Sequence, residues 1–595
     1  MSLLAKLDIT INRKPLKYFY RVLIKQNLYG IDTFEIECHY EALEEMDGFL
    51  IEKSKDFLGL PLVIQTTVLA GDDEKDGILF RGYVTKIQSS RSAMADKDQI
   101  IISGGSSEIA LNRKPTNRAF LDKTLEEIAK EVLKKYEFKS KVSPRNKEQF
   151  PYIVQYEESD LEFLKRLAIR YGEWCFFDGQ DFIFGEIPVV EKPLTLGYSL
   201  EEFTYGLGVT PVKFNLFSVD PLKVDVYKYK SGNSQIEANL NMYGKHALKM
   251  SKKMYTEEGN DYYEHLNVKE SDYKKGLDQV GKTLEAADAV KLTTLSGSST
   301  NGYLCAGMQV KIGCLKQDGK GKMDYGKYLI TSVQHEMDNT LLYRNNFTAI
   351  PAETSIPENT DPYLVRATSN QLGMIADNKD PDKLGRVKIS FWWMEGKQAS
   401  PWVKIATPYA HKKAGFYFVP AKNSRVLVGF EDGDVEKPYC LGNLFDEDAN
   451  PDPDWAGNAN DSNVKMHVIR TASGNTIEFY DSGGEEKIRI YDAKKKNEIT
   501  LDGANGELKI VAAETLKIEA KDIEIKADNG LKIEAGQSFE QKANQLKTEA
   551  KSDVKITGAN VEIKANASMK AEGSASAEVS SGGTMTVKGP LVQIN

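Results

Sequence analysis

The sequence predicts a mixed, mainly β protein in three parts: an α/β region over residues 1–360, a small closed β-barrel over 361–445 and, beyond a linker at 446–462, a β-helix over 463–595. Three observations carry this reading. Short alternating apolar and polar runs, separated by Gly, Pro and Asp, recur along the chain as half-buried antiparallel strands require. Helical periodicity interrupts them in the first part only. The last part repeats a strand pattern every eight residues, which a globular sheet has no reason to do.

In the first part, "PLVIQTTVL" and "ILFRGYVTKIQSS" alternate as sheet strands do. "FLDKTLEEIAKEVLKKY" predicts a helix with Leu121, Leu125, Ile128, Ala129 and Val132 on one face and Asp122 near its start, where an acidic side chain suits the dipole. "ESDLEFLKRLAIRYGEW" predicts a second, capped by Ser159 or Asp160, striped by Leu161, Leu164, Leu167 and Ala168, and ended by Gly172. Both helices read as packing elements. In the second part, "LGRVKISFWW", "PWVKIATPY", "GFYFVP" and "SRVLVGFEDGDVEKPYCLGNLF" supply strands for a small barrel without free edges, with Asp432 and Gly433 as a hairpin turn. "DEDANPDPDWAGNANDSN" is the linker.

The third part begins with punctuated strands and then loses almost all aromatics and prolines. Apolar pairs recur at Leu516 and Ile518, Ile523 and Ile525, Leu531 and Ile533, and Val554 and Ile556. Further on, Val561, Met569, Ala577 and Met585 are eight residues apart, as are Ile563, Ala571, Val579 and Val587. A disordered polar tail would need no such phase. A triangular β-helix coil made by one chain takes roughly 18 residues, whereas eight supply one side and a corner. Three chains close the prism, so the repeat predicts an intertwined homotrimer whose interior is those eight residues.

Composition bounds the function. A chain of 595 residues with a net charge of −9 accommodates roughly three or four domains and offers no general basic face for nucleic acid. Cys38, Cys175, Cys305, Cys314 and Cys440 form no CxxC pair and read as small apolar residues. The N-terminal run lacks the apolar core of a signal peptide, and no stretch of about 18 apolar residues occurs. The expectation is synthesis in a reducing cytoplasm and, if exported, export outside the general route. None of the six histidines sits in HExxH, and GxSxG is absent. "GKGK" at 319–322 reads as a turn, and the carboxylates of "EESD" and "FEDGD" as unremarkable in so acidic a chain. No catalytic, cofactor-binding or metal site is expected. A glycan-cleaving β-helix remains an alternative, disfavoured because the outward faces carry Lys, Glu and Thr rather than aromatic platforms.

In this order, the three parts resemble the VgrG spike proteins of type VI secretion and the hub and cell-puncturing proteins of contractile phage tails. "FRGYVTKI" (80–87) and "NRAFLDKTLEEIAKEVL" (117–133) look like the family's early strand and the arginine–phenylalanine strand end before its helix. Most specific is "QYEESDLEFLKRLAIRYGEWCFF" (155–177), where Tyr156, Glu158, Ser159, Asp160, Phe163, Arg166, Leu167 and Gly172 fall on the family's "Y.ESD..F..RL....G" signature, a structural motif. "LGRVKISFWW", "PWVKIATPYA" and "VLVGFEDGDVEKPYCLGNLFD" are similar to its OB-type barrel, and "ASGNTIEFYDSGGEEKIRI" (472–490) to the needle entrance. One loop departs: Asn423, Ser424 and Arg425 stand where family members carry a glycine and an acid.

The resemblance implies a hub of two barrel-like domains with small α/β insertions over 1–360, an OB-fold collar and a trimeric needle, without an appended toxin or lysozyme-like domain. It implies a homotrimeric spike on the inner tube that punctures a target envelope mechanically and leaves with the contractile machinery. Its partners would be a hexameric, Hcp-like tube protein, baseplate proteins, a PAAR-repeat tip protein and effectors or their adaptors, with no nucleic acid and no cofactor. The tip would dock on Gly589, Pro590, Leu591, Val592, Ile594 and Asn595. A phage baseplate or other injection particle uses the same parts, so that alternative stays open, and a trimeric glycan-binding tailspike is the third reading.

Overall fold

The computed structural model describes residues 5–45, 50–68, 77–93, 98–232, 240–316, 321–340, 342–354, 356–456 and 464–594. The chain divides into two compact units, Met1–Gly457 and Asn458–Asn595. Strands far outnumber helices, so the fold class is mainly β, as the alternating patterns predict. No helix among the described residues is long and apolar enough to cross a membrane.

A thirteen-stranded sheet organises the first unit. At one end Gln309–Leu315 pairs with both Glu191–Leu196 and Lys322–Asp338. That double pairing closes a six-stranded ring through Leu200–Leu207, Thr293–Ser299 and Tyr343–Pro351, filled by Leu194, Leu295, Val310, Ile312, Ile330 and Phe347. Lys322–Asp338 is 17 residues long and outlasts the ring; its second half pairs with Arg21–Asn27 and starts a second curved sheet. That sheet runs through Thr33–His39, Gln99–Ser106, Gly77–Ser90, Pro61–Val68 and Ala5–Ile11. Its alternate residues Ile9, Val22, Ile24, Phe34, Ile36, Ile64, Ile100 and Ile102 make a separate core.

Two insertions interrupt the sheet. In the first, Thr116–Thr124 pairs with Gln149–Glu158, and helices α1 (Leu125–Leu133) and α2 (Asp160–Tyr171) pack over a small sheet of Ser140–Ser143, Trp174–Phe177 and Phe182–Gly185. Both helices start at a capping box: Thr124 with Glu127, and Ser159 with Glu162. The first box corrects the expected start of α1. Leu121 and Asp122 belong to the preceding strand, and the acids of the first turn are Glu126 and Glu127. The second insertion carries a three-stranded sheet and two helices absent from the sequence reading, α3 (Met242–Met254) and α4 (Tyr273–Val290). Their apolar faces are diluted by Gly, Ala and Thr, which blurs the periodicity.

The barrel at 371–443 uses Lys388–Phe391, Gln371–Asp377, Arg425–Phe430 and Pro438–Asn443 in that order. The "PWVKI" run closes it through single bridges, Val403 to Val387 and Ile405 to Cys440. Asp432 and Gly433 form the expected turn with φ of 50° and 72°. Asn423, at the departing loop, has φ of 69°, a left-handed conformation that asparagine tolerates better than most side chains. Cys314 is half-exposed and the other four cysteines are buried; all five are free thiols. Within "GKGK", Gly319 and Lys320 lie outside the described residues.

In the second unit, Met466–Arg470, Thr476–Tyr480, Lys487–Tyr491, Glu498–Asp502 and Glu507–Val511 form an antiparallel meander. The expected β-helix region therefore opens with hairpins. From 512 to 594 the described residues form no strand ladder; extended segments alternate with short bends, and every residue from 513 on is exposed.

Candidate functional site

The residues of the signature motif meet at the amino end and inner face of α2. A bulge breaks the strand pairing between Gln155 and Glu158, with Glu157 at φ of 50°, and redirects the chain into the helix. Ser159 caps, and Gly172 ends the helix with φ of 69°. A Cβ at Gly172 would stand 3.2 Å from Thr283 Cγ2. Phe163, Leu164 and Leu167 are fully buried, each contributing roughly 1.5–3 kcal/mol of apolar burial. The Phe163 ring stacks on Phe120 at 5.6 Å.

Asp160 is a buried anchor. Its carboxylate accepts from Arg113 Nε at 2.9 Å, Tyr136 Oη at 2.5 Å and Arg118, and lies 2.6 Å from Lys135 Nζ. Burial opposes its ionisation, but the hydrogen bonds from Lys135, Tyr136 and Arg113 prevail and hold its pKa down at about 2. Glu158 takes Arg166 in a two-pronged pair, 2.7 Å to Nε and 3.0 Å to Nη2, while Arg166 Nη2 also donates to Val154 O. Tyr156 lends its carbonyl to Arg366 Nε and packs edge-on to Trp393 of the barrel at 5.9 Å.

One turn beyond Arg166, Arg170 is buried too. It donates to Glu436 Oε2 at 2.8 Å and to His265 O, and its Nη2 is 3.9 Å from Asp434 Oδ2. Asp434 and Glu436 come from the turn of the barrel hairpin. His265 Nδ1 is 3.3 Å from Asp434 Oδ2, and Asn267 Nδ2 donates to Glu436 Oε2. Burial works against the Asp434 carboxylate, while His265 and Arg170 lower its pKa. Ala119, Tyr152 and Val154 of the insertion share one apolar cluster with Ile375, Ile389, Val426, Val428 and Phe430 of the barrel. This is a joint: buried charges inside a common core lock the α/β insertion to the barrel. Its polar groups are turned on one another, and among the described residues no group of three or more His, Cys, Asp or Glu is placed to hold a metal.

Sequence reasoning placed Tyr156, Glu158, Ser159, Asp160, Phe163, Arg166, Leu167 and Gly172 together without their partners. It missed Arg170, Asp434, Glu436, His265 and Asn267. The signal was available: Arg166 and Arg170 lie four apart on one helical face, and "EESD" and "FEDGD", set aside as chance acids, are the sequences that meet them.

Residues 54–190, which contain α2, match the family described as phage tail baseplate hub (GPD). Residues 371–445, which contain Asp434 and Glu436, match the type VI secretion system/phage-baseplate injector OB domain. The joint thus runs between the two matched domains. Two stretches of the chain are thus similar to domains of contractile-injection baseplates.

The type VI secretion system spike protein VgrG1a of Pseudomonas aeruginosa is 21% identical over 432 residues, covering 66% of this chain and 64% of that protein. The actin cross-linking toxin VgrG1 of Vibrio cholerae is 22% identical over 423 residues, 64% of this chain and 36% of that protein. The chain thus aligns with less than two thirds of the length of either relative. A Francisella PdpA–VgrG complex in its lidded form shares the fold at a TM-score of 0.53 with 9% identity, over 85% of this chain and 80% of that one.

In the second unit, Val561, Ile563, Met569, Ala571, Ala577, Val579, Met585 and Val587 are all exposed. So are Gly589, Pro590, Leu591, Val592 and Ile594, with Ile594 at 92% exposure; Asn595 lies outside the described residues. The backbone bends every seven to eight residues, for example at Asp528–Asn529, Gly536–Gln537, Asn544 and Lys551–Ser552. An apolar pair such as Leu531 and Ile533, or Val554 and Ile556, follows two or three residues after nearly every bend.

Proposed function

We propose that three copies of the chain form the spike of a type VI secretion system, with residues 1–360 as the hub, 361–445 as an OB-type collar and 463–595 as an intertwined needle. One observation carries this reading: from Leu516 to Ile594 the chain presents a phased apolar stripe on segments whose backbone has no ladder of its own. An exposed stripe of this length invites association, and its phase fits copies of itself. The similarity to VgrG proteins and the hub and OB matches support the placement.

In this reading the hub faces a hexameric, Hcp-like tube ring, baseplate proteins surround it, and the needle is driven through the target envelope without catalysis by the chain. Secretion follows from sheath contraction and uses no signal peptide. A PAAR-repeat tip protein, with its effectors, docks on Gly589, Pro590, Leu591, Val592, Ile594 and Asn595. The test is copurification after deletion of residues 589–595. The trimer is expected to persist in sedimentation while the tip protein is lost; undiminished tip binding would overturn the docking assignment. A second reading, the baseplate spike of a phage tail, draws on the same hub match. Imaging the native particle separates the two, and places either the hub or the needle against the first tube ring.

A further inference from the structure

The stripe has an outer counterpart. Between and after each apolar pair stand two outward positions, and their charges follow an order. Lys517 and Glu519 are followed by Glu524 and Lys526, then Lys532 and Glu534, Glu540 and Lys542, and Lys547 and Glu549. The sign order inverts at every segment. A second block begins at Lys555 and continues with Glu562 and Lys564, Lys570 and Glu572, and Glu578. The two members of a segment share a face: Lys532 Nζ is 2.5 Å from Glu534, Lys547 Nζ is 2.7 Å from Glu549, and Lys570 pairs with Glu572. These pairs are exposed and contribute little by themselves.

The order has meaning only once the neighbour of each strand is known. In an intertwined trimer each chain advances one side per segment, so on any side a segment of one chain lies beneath the next segment of another. Parallel strands at that spacing, about 4.8 Å, put equivalent outward positions side by side. Lys517 then meets Glu524, Glu519 meets Lys526, Glu540 meets Lys547, and Glu562 meets Lys570. Every charged adjacency is of opposite sign except Lys547 beside Lys555. A one-chain, three-sided helix would instead stack each segment on the third one after it. That arrangement keeps opposite signs within the first block, as at Lys517 and Glu540, but across the two blocks sets Lys532 beside Lys555, Glu540 beside Glu562, Lys542 beside Lys564, Lys547 beside Lys570 and Glu549 beside Glu572. A chain cannot lay a segment in parallel on its own successor, because such a connection takes a dozen or more residues and the bends supply one or two.

We propose that these outer Lys and Glu residues form an interchain charge ladder that sets which segment of one chain pairs with which segment of the next, with the Lys547–Lys555 step as its single phase break. The inference rests on the three-chain reading and adds the rule of register to it. The apolar stripe alone cannot supply that rule, since its pairs are alike enough to slip by one repeat. Opposite charges across strands penalise a slip, because moving one chain by one segment turns most pairs into like ones.

The test uses the full-length chain and two variants that preserve net charge. K532E/E534K sets like charges against both neighbouring layers, at Glu524 and Glu540 and at Lys526 and Lys542. K555E/E562K/K564E/K570E/E572K/E578K inverts the whole second block, leaves its internal adjacencies opposite and removes the break at Lys547. Dissociation of the trimer in urea is followed by sedimentation at low salt and at about 1 M salt, where the screening length is about 3 Å. The first variant is expected to dissociate roughly tenfold faster than the parent at low salt, with most of the difference gone at high salt. The sixfold variant is expected to dissociate no faster than the parent. Equal rates for parent and first variant at low salt, or a sixfold variant as labile as the first, would overturn the ladder while leaving the trimer standing. A parent that sediments as a monomer would overturn the three-chain reading beneath it.

Discussion

Arg170 Nη1 lies 2.8 Å from Glu436 Oε2, both side chains buried, across 266 residues of sequence. The pair ties a helix of the hub-like domain to the hairpin turn of the OB domain inside a shared apolar cluster. Buried pairs contribute little over apolar substitutes, yet are costly to break by halves. Such a joint couples the two domains through direct packing.

Replacing Arg170 by Met leaves Glu436 and Asp434 buried without their main cation. The expected loss is about 3–5 kcal/mol in urea unfolding of the first unit. R170M/E436M should recover part of it, so a double-mutant cycle gives a coupling well above zero. Additive losses would mean that the pair does not act as a unit.

The helix ends are separately testable. Ser159→Ala removes one half of the capping box, with an expected cost of about 1 kcal/mol. Gly172→Ala forces a side chain into a left-handed conformation and against Thr283, with an expected cost of about 1–3 kcal/mol. Thermal unfolding of the two single variants reads both.

Glu108 gives the first unit a pH dependence. Burial pushes its carboxyl up to about 7, partly countered by Lys165 Nζ at 3.8 Å, and the buried Asp32 carboxyl nearby is raised as well. A folded-state pKa above the unfolded value means that the folded state holds the proton more tightly. The contribution is thus present below about 4.5 and lost as pH rises towards 7. Glu108→Gln should leave stability at pH 5 nearly unchanged and raise it at pH 8 by roughly 2 kcal/mol. A variant with the parental pH profile would place the titration elsewhere.

Asp160 has the opposite sign. Its pKa is held down at about 2, so its stabilisation is complete above the ordinary aspartate value near 3.8 and disappears as pH falls towards 2. Asp160→Asn should therefore destabilise the unit at pH 7 and flatten its acid unfolding between pH 4 and about 2. Unfolding monitored by tryptophan fluorescence checks this.

Val579→Asp or Val587→Asp would set three carboxylates round one axis in the proposed needle. Desolvation makes that costly, and sedimentation of the full-length chain should show loss or fraying of the trimer. An unperturbed trimer would move these positions out of its interior.

Local rules made much of this protein legible before its fold was known. Alternation marked the strands, Ser159 and Gly172 bounded α2, Asp432 and Gly433 marked the barrel turn, and the eight-residue phase marked the C-terminal repeat, because each depends on neighbours within a few residues. The start of α1 was displaced because Asp122 looks like a first-turn acid, whereas the strand pairing with Gln149–Glu158 holds the chain extended as far as Thr124. Helices α3 and α4 were hidden by small residues that pack closely yet score as weakly apolar. Partnership was decided only by tertiary structure. Arg170 has no legible partner until the fold brings Asp434 and Glu436 to it, and nothing local encodes a contact over such a separation. The sequence by itself determined the phase and charge order of the repeat, since both are properties of one strand. Which strand lies beside it is a matter of three dimensions, because hydrogen-bonded neighbours are chosen by the path of the backbone and not by the residues next in line.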